Sequence, residues 1–266
     1  VNELDELAIA FAALASEAGR VVMDVYATDF EVRRKADLSP VSEADEAAEA
    51  LLVPGVQKLL PGVPILAEEA VSRDGLVDVG TEFVLIDPLD GTKEFVSRNG
   101  EFTVNVALVR DGVPVAGCVY APALGRMYVG GTTAFTGSVQ PGVTDADLTA
   151  MRTRPYPEPL VAVASRSHRD AQTDAFLADL GVADTRSAGS SLKFCLVAEG
   201  AADVYPRFGP TMEWDTAAGD AVLRAAGGTV TNPDGTLFGY GKAHEGFRNG
   251  AFVAWGGAPL RPEQQP

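Results

Sequence analysis

From Leu4 to Val25, apolar side chains recur at Leu4, Leu7, Phe11, Leu14, Ala18, Val21 or Val22, and Val25. This spacing predicts a helix over 4–26 with one buried face. A turn is expected at Asp37 to Pro40. Ser42 is then placed to cap a second helix through Asp45 to Leu52, whose early acids suit the positive end of its dipole. Pro54-Gly55 is expected to kink or end that helix before Lys58-Leu59-Leu60, because proline lacks the backbone N–H that a helix interior uses.

The period then changes to two. Ile65-Leu66, Phe83 to Ile86, Phe102 to Val109, Val113 to Tyr120 and Met127 to Val129 read as strands, with Asp111-Gly112 as a hairpin turn. Gly130 to Pro159 holds few apolar runs and is read as an irregular connection. Leu160 to Ala164 predicts a strand, and Arg169 to Leu180 a helix ended by Gly181. Ser190 to Ala198 reads as helix, Ala202 to Tyr205 as extended, and Thr216 to Ala226 as helix, before Gly227-Gly228 starts a further strand. Alternating strands and helices argue for a layered α/β architecture. The division expected is an α+β unit over 1–150, an α/β unit over 151–258 and a loose tail over 259–266.

Composition agrees with a folded chain: 46% of residues are hydrophobic and 22% charged. The 21 basic and 37 acidic side chains leave a net charge of -16, which works against binding nucleic acid polymers or anionic membranes through a long-range field. A small anion remains acceptable if metal ions or a few placed cations reverse the field locally. Cys118 and Cys195 lie far apart in apolar runs and read as reduced core thiols. No transmembrane segment is apparent, and the opening Val1-Asn2-Glu3 is unlike a basic signal flank. A cytoplasmic location is expected, with peripheral attachment at the inner membrane as the variant on it.

The candidate chemistry lies in Asp87-Pro88-Leu89-Asp90-Gly91-Thr92. An apolar strand delivers Asp87, Pro88 forces a turn, and Asp90 can point back toward the same space, so that two carboxylates and the Leu89 carbonyl can face one cation. Gly91 lets Thr92 start the next element close by. Glu68-Glu69 closes the run Ile65-Leu66-Ala67, and Asp215 stands at the start of the helix from Thr216. Gathering such acids without cations would raise their pKa values and cost stability. An all-oxygen set suits magnesium, with calcium as the competing hard ion, whereas the only two histidines, His168 and His244, make no zinc site. The other interpretation is that Asp87 and Asp90 cap a turn while Glu68, Glu69 and Asp215 are solvated.

These motifs resemble the lithium-sensitive, magnesium-dependent phosphatase superfamily that includes inositol monophosphatase and fructose-1,6-bisphosphatase. The resemblance rests on the Glu68-Glu69 pair, Asp87 to Thr92, and Trp214-Asp215-Thr216-Ala217-Ala218-Gly219, and extends from about Leu7 to Trp255. Within the superfamily, Asp87 to Phe95, Asn99 to Asn105, Gly189 to Gly200, Tyr205 to Thr211 and Lys35 to Val41 are most similar to bacterial 3'(2'),5'-bisphosphate nucleotidases. The resemblance implies a five-layer αβαβα sandwich and removal of the 3'-phosphate of adenosine 3',5'-bisphosphate, with two or three Mg2+ ions as cofactor. It implies Glu68, Asp87, Asp90, Asp215 and the Leu89 carbonyl as metal ligands, and Asp45 with Thr92 as the pair that activates water, beside Glu68. Lys35, Gly91, Thr92, His168, Ser190, Lys193, Arg207 and Asp215 fall at substrate-binding positions. Ala70 departs from the pattern, since relatives often carry an acid there. A broader inositol or sugar-phosphate phosphatase is the neighbouring reading, and a non-catalytic magnesium- or nucleotide-binding protein the one from another class. The expected partner is a small nucleotide bisphosphate, with a monomer or homodimer as the assembly.

Overall fold

The computed structural model describes residues 2–28, 32–34, 40–165 and 170–260. Lys35, His168, most of the turn expected at Asp37 to Pro40, and the tail from 261 onward lie outside the described residues. Helix α1 (Glu3–Tyr26) starts at Asn2, whose side chain accepts a hydrogen bond from Leu4 N, and buries Ala8, Phe11, Ala15, Ala18 and Val22. Strands β1 (Val32–Arg34) and β2 (Pro40–Ser42) pair antiparallel and lead into α2 (Glu43–Leu59).

Of the kink or end expected at Pro54-Gly55, the end does not occur: α2 continues to Leu59. Leu52 and Val56, which flank the proline, are fully buried in a core shared with α1. A Cβ on Gly55 would lie 2.6 Å from Leu14 Cδ2, so the two helices approach closely there. Burial on both sides of the proline outweighs the one hydrogen bond it removes.

A seven-stranded sheet follows in sequence order: β3 (Ile65–Ala67), β4 (Glu82–Asp90), β5 (Thr103–Arg110), β6 (Val113–Ala121), β7 (Arg126–Gly130), β8 (Ala134–Ser138) and β9 (Thr149–Met151). Only β3 and β4 pair in parallel. Short helices α3 (Glu68–Asp74) and α4 (Thr92–Val96) leave the carboxyl ends of β3 and β4. Asp111 and Gly112 have φ of 50° and 76°, the left-handed pair that a tight hairpin needs. The stretch 130–159, expected to be irregular, instead supplies β8 and β9. Apart from buried Ala134 and Met151 their side chains are partly or fully exposed, so no strong apolar alternation marks them.

The second half comprises β10 (Val161–Ser165), α5 (Ala171–Asp179), β11 (Asp184–Ala188), α6 (Leu192–Ala198), β12 (Val204–Arg207), β13 (Thr211–Met212), a 3-10 turn over Glu213–Asp215, α7 (Ala217–Ala225), β14 (Thr229–Thr231), β15 (Arg248–Asn249) and β16 (Phe252–Trp255). Five of these strands form a mixed sheet in the order β11-β10-β12-β16-β14.

Alternation along the strands decides the layers. Val84, Ile86, Val104 and Val106 face α1 and α2, whereas Leu85, Ala107, Val109 and Val119 face Phe194 of α6 and Ala218 and Val222 of α7. The far side of α6 and α7 meets Tyr205, Phe252 and Ala254 of the five-stranded sheet, whose other face, with Ala162, Val204 and Val253, covers Leu177 of α5. The result is five layers, αβαβα. Gly117 and Gly130 permit the close central contact: a Cβ on Gly130 would lie 2.5 Å from Val222 Cα.

Candidate active site

The site forms where β4 stops behaving as a regular strand. Asp87 pairs with Asn105 but Asp90 pairs with Thr103, so three steps on β4 match two on β5. Residues three apart normally point to opposite faces; the extra residue in this bulge turns both carboxylates toward one space. Pro88, which has no N–H for the ladder, sits inside the irregularity. Asp87 Oδ1 accepts a 3.0 Å hydrogen bond from Leu89 N. Gly91 then adopts φ 92°, and Thr92 begins α4. A side chain at Gly91 would collide with Ser190 Oγ.

Glu68 arrives from the neighbouring strand. Parallel pairing sets Ala67 beside Ile86, so the first residue of α3 stands next to Asp87. Glu49 of α2 secures that start by accepting a 2.8 Å hydrogen bond from Glu69 N. Asp215 ends the 3-10 turn, with Oδ2 accepting from Met212 N at 2.8 Å. Asp45, in the first turn of α2, is buried and close enough to act on the charge of Asp87.

The electrostatics are those of acids held together against their repulsion. Burial pushes the Asp87 carboxyl well above the usual range, and Glu68, Asp90, Asp215 and Asp45 push it further. Burial, then Asp90 and Glu68, raise Asp215 likewise. Asp90 is raised by burial and held back by Lys193 and by hydrogen bonds from Ser191 and Asn105. Lys193 is pulled down to about 8 by burial, with Asp90 opposing. Its Nζ donates to Ser190 O at 2.6 Å and lies 5.4 Å from the Tyr205 ring centre.

A cleft of about 330 Å3 brings these groups together. Glu68, Asp87, Leu89, Asp90, Gly91, Thr92, Ser190, Lys193, Arg207 and Asp215 all line it, while Asp45 lies buried outside its lining. Lys35 and His168 fall outside the described residues. Sequence reasoning missed Tyr205, which lines the cleft, and Asn105 and Ser191, which grip Asp90 from behind. A lone amide inside the apolar run Val104 to Val109 was the available signal for Asn105, since a buried polar group needs a reason. Glu49, half-hidden in a helical pattern, offered none.

Among the described residues no ready-made cluster of three or more His, Cys, Asp or Glu side chains holds a metal position. The residues nevertheless fit a hard cation. Asp87 Oδ2 is buried without a hydrogen-bond partner, the surrounding donors are all oxygen, and the like charges raise one another's pKa values.

The profile of the family described as "Inositol monophosphatase family" matches residues 3–255. Among curated proteins, the chain is 46% identical over 244 residues to the 3'(2'),5'-bisphosphate nucleotidase CysQ of Escherichia coli strain K12, covering 90% of this chain and 95% of that protein. It is 37% identical to the protein of the same name from Buchnera aphidicola, covering 91% and 90%. Among solved structures, CysQ from Bacteroides thetaiotaomicron superposes with a TM-score of 0.80 at 38% identity, covering 97% of this chain and 99% of that one. A Thermotoga maritima inositol monophosphatase gives 0.72 at 25% identity, covering 93% and 91%.

Proposed function

Since the chain belongs to the inositol monophosphatase family, we propose that its cleft is the active site of a magnesium-dependent 3'(2'),5'-bisphosphate nucleotidase. The enzyme hydrolyses the 3'-phosphate of adenosine 3',5'-bisphosphate to give AMP and phosphate. The observation that carries the site assignment is the bulge in β4, which turns Asp87 and Asp90 into the same cleft as Glu68, Asp215, Lys193 and Arg207.

Glu68, Asp87, Asp90, Asp215 and the Leu89 carbonyl would hold two or three Mg2+ ions. When bound, these supply charge neutralisation on the phosphoryl oxygens and make water a better nucleophile at neutral pH. The chain's own residues do the rest. Thr92, at the start of α4, orients the attacking water through its hydroxyl. Asp45 accepts the proton released along that line, a role suited to a buried carboxylate whose neighbours are acidic. Arg207 is held by donation from Nε to Gly209 O at 3.2 Å and from Nη2 to Pro210 O at 3.3 Å, leaving Nη1 for an anion. Lys193 spends two protons on the carbonyls of Ser190 and Ala188 and directs its remaining charge to the second phosphate. Tyr205 limits how far the Lys193 ammonium can swing.

The test is phosphate release with magnesium from adenosine 3',5'-bisphosphate, inositol 1-phosphate and fructose 1,6-bisphosphate. The nucleotide should give the highest kcat/KM, and a chelator should abolish release. A preference for inositol 1-phosphate would move the chain to the neighbouring activity of the family. Tight nucleotide binding without hydrolysis in several divalent ions would sink the catalytic reading.

A further inference from the structure

Every hydrogen bond made to the Asp90 carboxylate among the described residues ends on one oxygen. Oδ2 accepts from Ser191 Oγ at 3.0 Å, from Asn105 Nδ2 at 3.3 Å and from Thr103 Oγ1 at 3.5 Å. Among the described residues Oδ1 receives none, although Asp90 lines the cleft. The donors come from two different parts of the fold: Thr103 and Asn105 from β5, and Ser191 from the corner that precedes α6.

The Ser191 hydroxyl has a second neighbour, the Asp215 carbonyl at 2.7 Å, and it accepts from Asn105 Nδ2 at 3.0 Å. A hydroxyl has one proton. If Ser191 donates to Asp215 O, the two Asn105 amide protons still serve Ser191 Oγ and Asp90 Oδ2. If Ser191 donates to Asp90, the carboxylate is held by Ser191, Asn105 and Thr103 together. Either way the Asn105 and Ser191 pair joins the β4 bulge to the segment that carries Asp215.

Both polar groups are buried. Asn105 is 1% exposed between Val104 and Val106, and Ser191 is 2% exposed. Valine and alanine would fill the same space. Among the described residues Asn105 Oδ1 has no hydrogen-bond partner, a cost that a merely structural amide would avoid.

We propose that Asn105 and Ser191 are positioning residues that pin Oδ2 of Asp90, so that Oδ1 alone is offered to a divalent cation in a direction fixed relative to Asp215. This rests on the reading of Asp90 as a magnesium ligand. A carboxylate restricted to one oxygen suits the strict octahedral demand of Mg2+, whereas a carboxylate free to turn can offer both oxygens and suits the larger, more tolerant Ca2+.

Calorimetric titration of the metal-free full chain with MgCl2 and with CaCl2 tests this. Ser191→Ala deletes a single oxygen and should weaken Mg2+ binding roughly 10- to 100-fold, the usual range for outer partners of metal ligands, while Ca2+ binding falls less. Ser191→Thr keeps the hydroxyl and should recover most of the loss; Asn105→Ala should resemble Ser191→Ala. In an Asp90→Asn background, Ser191→Ala should add nothing. In turnover, the magnesium half-saturation should rise while KM for the nucleotide at saturating magnesium holds. Circular dichroism reports folding, and Ser191→Cys, of similar shape with a weaker donor, decides the matter should Asn105→Ala fail to fold. Folded Ser191→Ala that binds Mg2+ within twofold of the parent overturns the positioning role. If the parent itself neither binds divalent ions nor releases phosphate, the functional reading falls with it; a normal parent beside unchanged variants removes the positioning role alone.

Discussion

At Asp87 the interests of stability and chemistry diverge. Its carboxyl is 1% exposed, one oxygen lacks a hydrogen-bond partner among the described residues, and four acidic neighbours oppose its charge. Asp87→Asn or Asp90→Asn should therefore cut magnesium-dependent phosphate release by at least about a thousandfold with the circular dichroism spectrum unchanged, as expected if both hold the same cation. In chelator, Asp87→Asn should melt higher than the parent, because it removes like-charge repulsion; magnesium should raise the melting temperature of the parent far more than that of the variant. Lys193 gives the second residue-scale expectation. Its charge is present below about 8 and lost above it. KM for adenosine 3',5'-bisphosphate should rise as pH climbs through that value, and Lys193→Gln should show the high KM at every pH. A monophosphate should show neither effect, which a comparison of kcat/KM profiles on the two substrates will reveal.

At the scale of elements, carboxylates accepting from backbone fasten some helices to the turns and helix starts beside them. Asp5 of α1 accepts from Thr132 N at 2.7 Å, Thr132 Oγ1 at 2.8 Å and Thr133 N at 3.0 Å, in the turn between β7 and β8. Burial raises its pKa, but these bonds more than offset that and leave it lowered. A carboxylate lowered on folding stabilises the protein above its unfolded pKa and loses that contribution as pH falls through the folded value. Asp5→Ala should cost about 1–3 kcal/mol at neutral pH, since it removes hydrogen bonds made to a charged group. The gap between parent and variant in denaturant melts should narrow once pH drops below roughly 4. The same scale explains why α2 does not end at Pro54. A local signal worth one hydrogen bond loses to a helix face buried on both sides of it, and periodicity alone does not reveal that burial.

The whole molecule is governed by how closely its layers meet. α7 touches the seven-stranded sheet where Gly117 and Gly130 leave no side chain in the way, and α7 follows directly on the segment bearing Asp215. Gly130→Ala would force a Cβ against the backbone of Val222 and should destabilise the fold by about 1–3 kcal/mol, typical of overpacking. Because the displaced helix carries Asp215 with it, the magnesium requirement should rise as well. A thermal melt together with a magnesium titration checks both; an unchanged melting temperature would show that the layers can separate at little cost. The net charge of -16 bears on the cleft only from a distance, since cations at the carboxylates would reverse the local field.

The linear chain by itself determined the helices with one apolar face, the alternating central strands, the Asp111-Gly112 turn and the acid-rich stretch at 87–92, because these depend on neighbours a few positions away. Matching runs of residues also placed the chain in its family. Only the tertiary structure decided that α2 continues past Pro54, that 130–159 adds two strands, and that Asn105 and Ser191 close on a single oxygen of Asp90. Those outcomes depend on contacts between segments up to about a hundred positions apart, such as the one joining Ser191 to Asp90. The free energy of such a contact is set by what arrives on the other side, which no local pattern records.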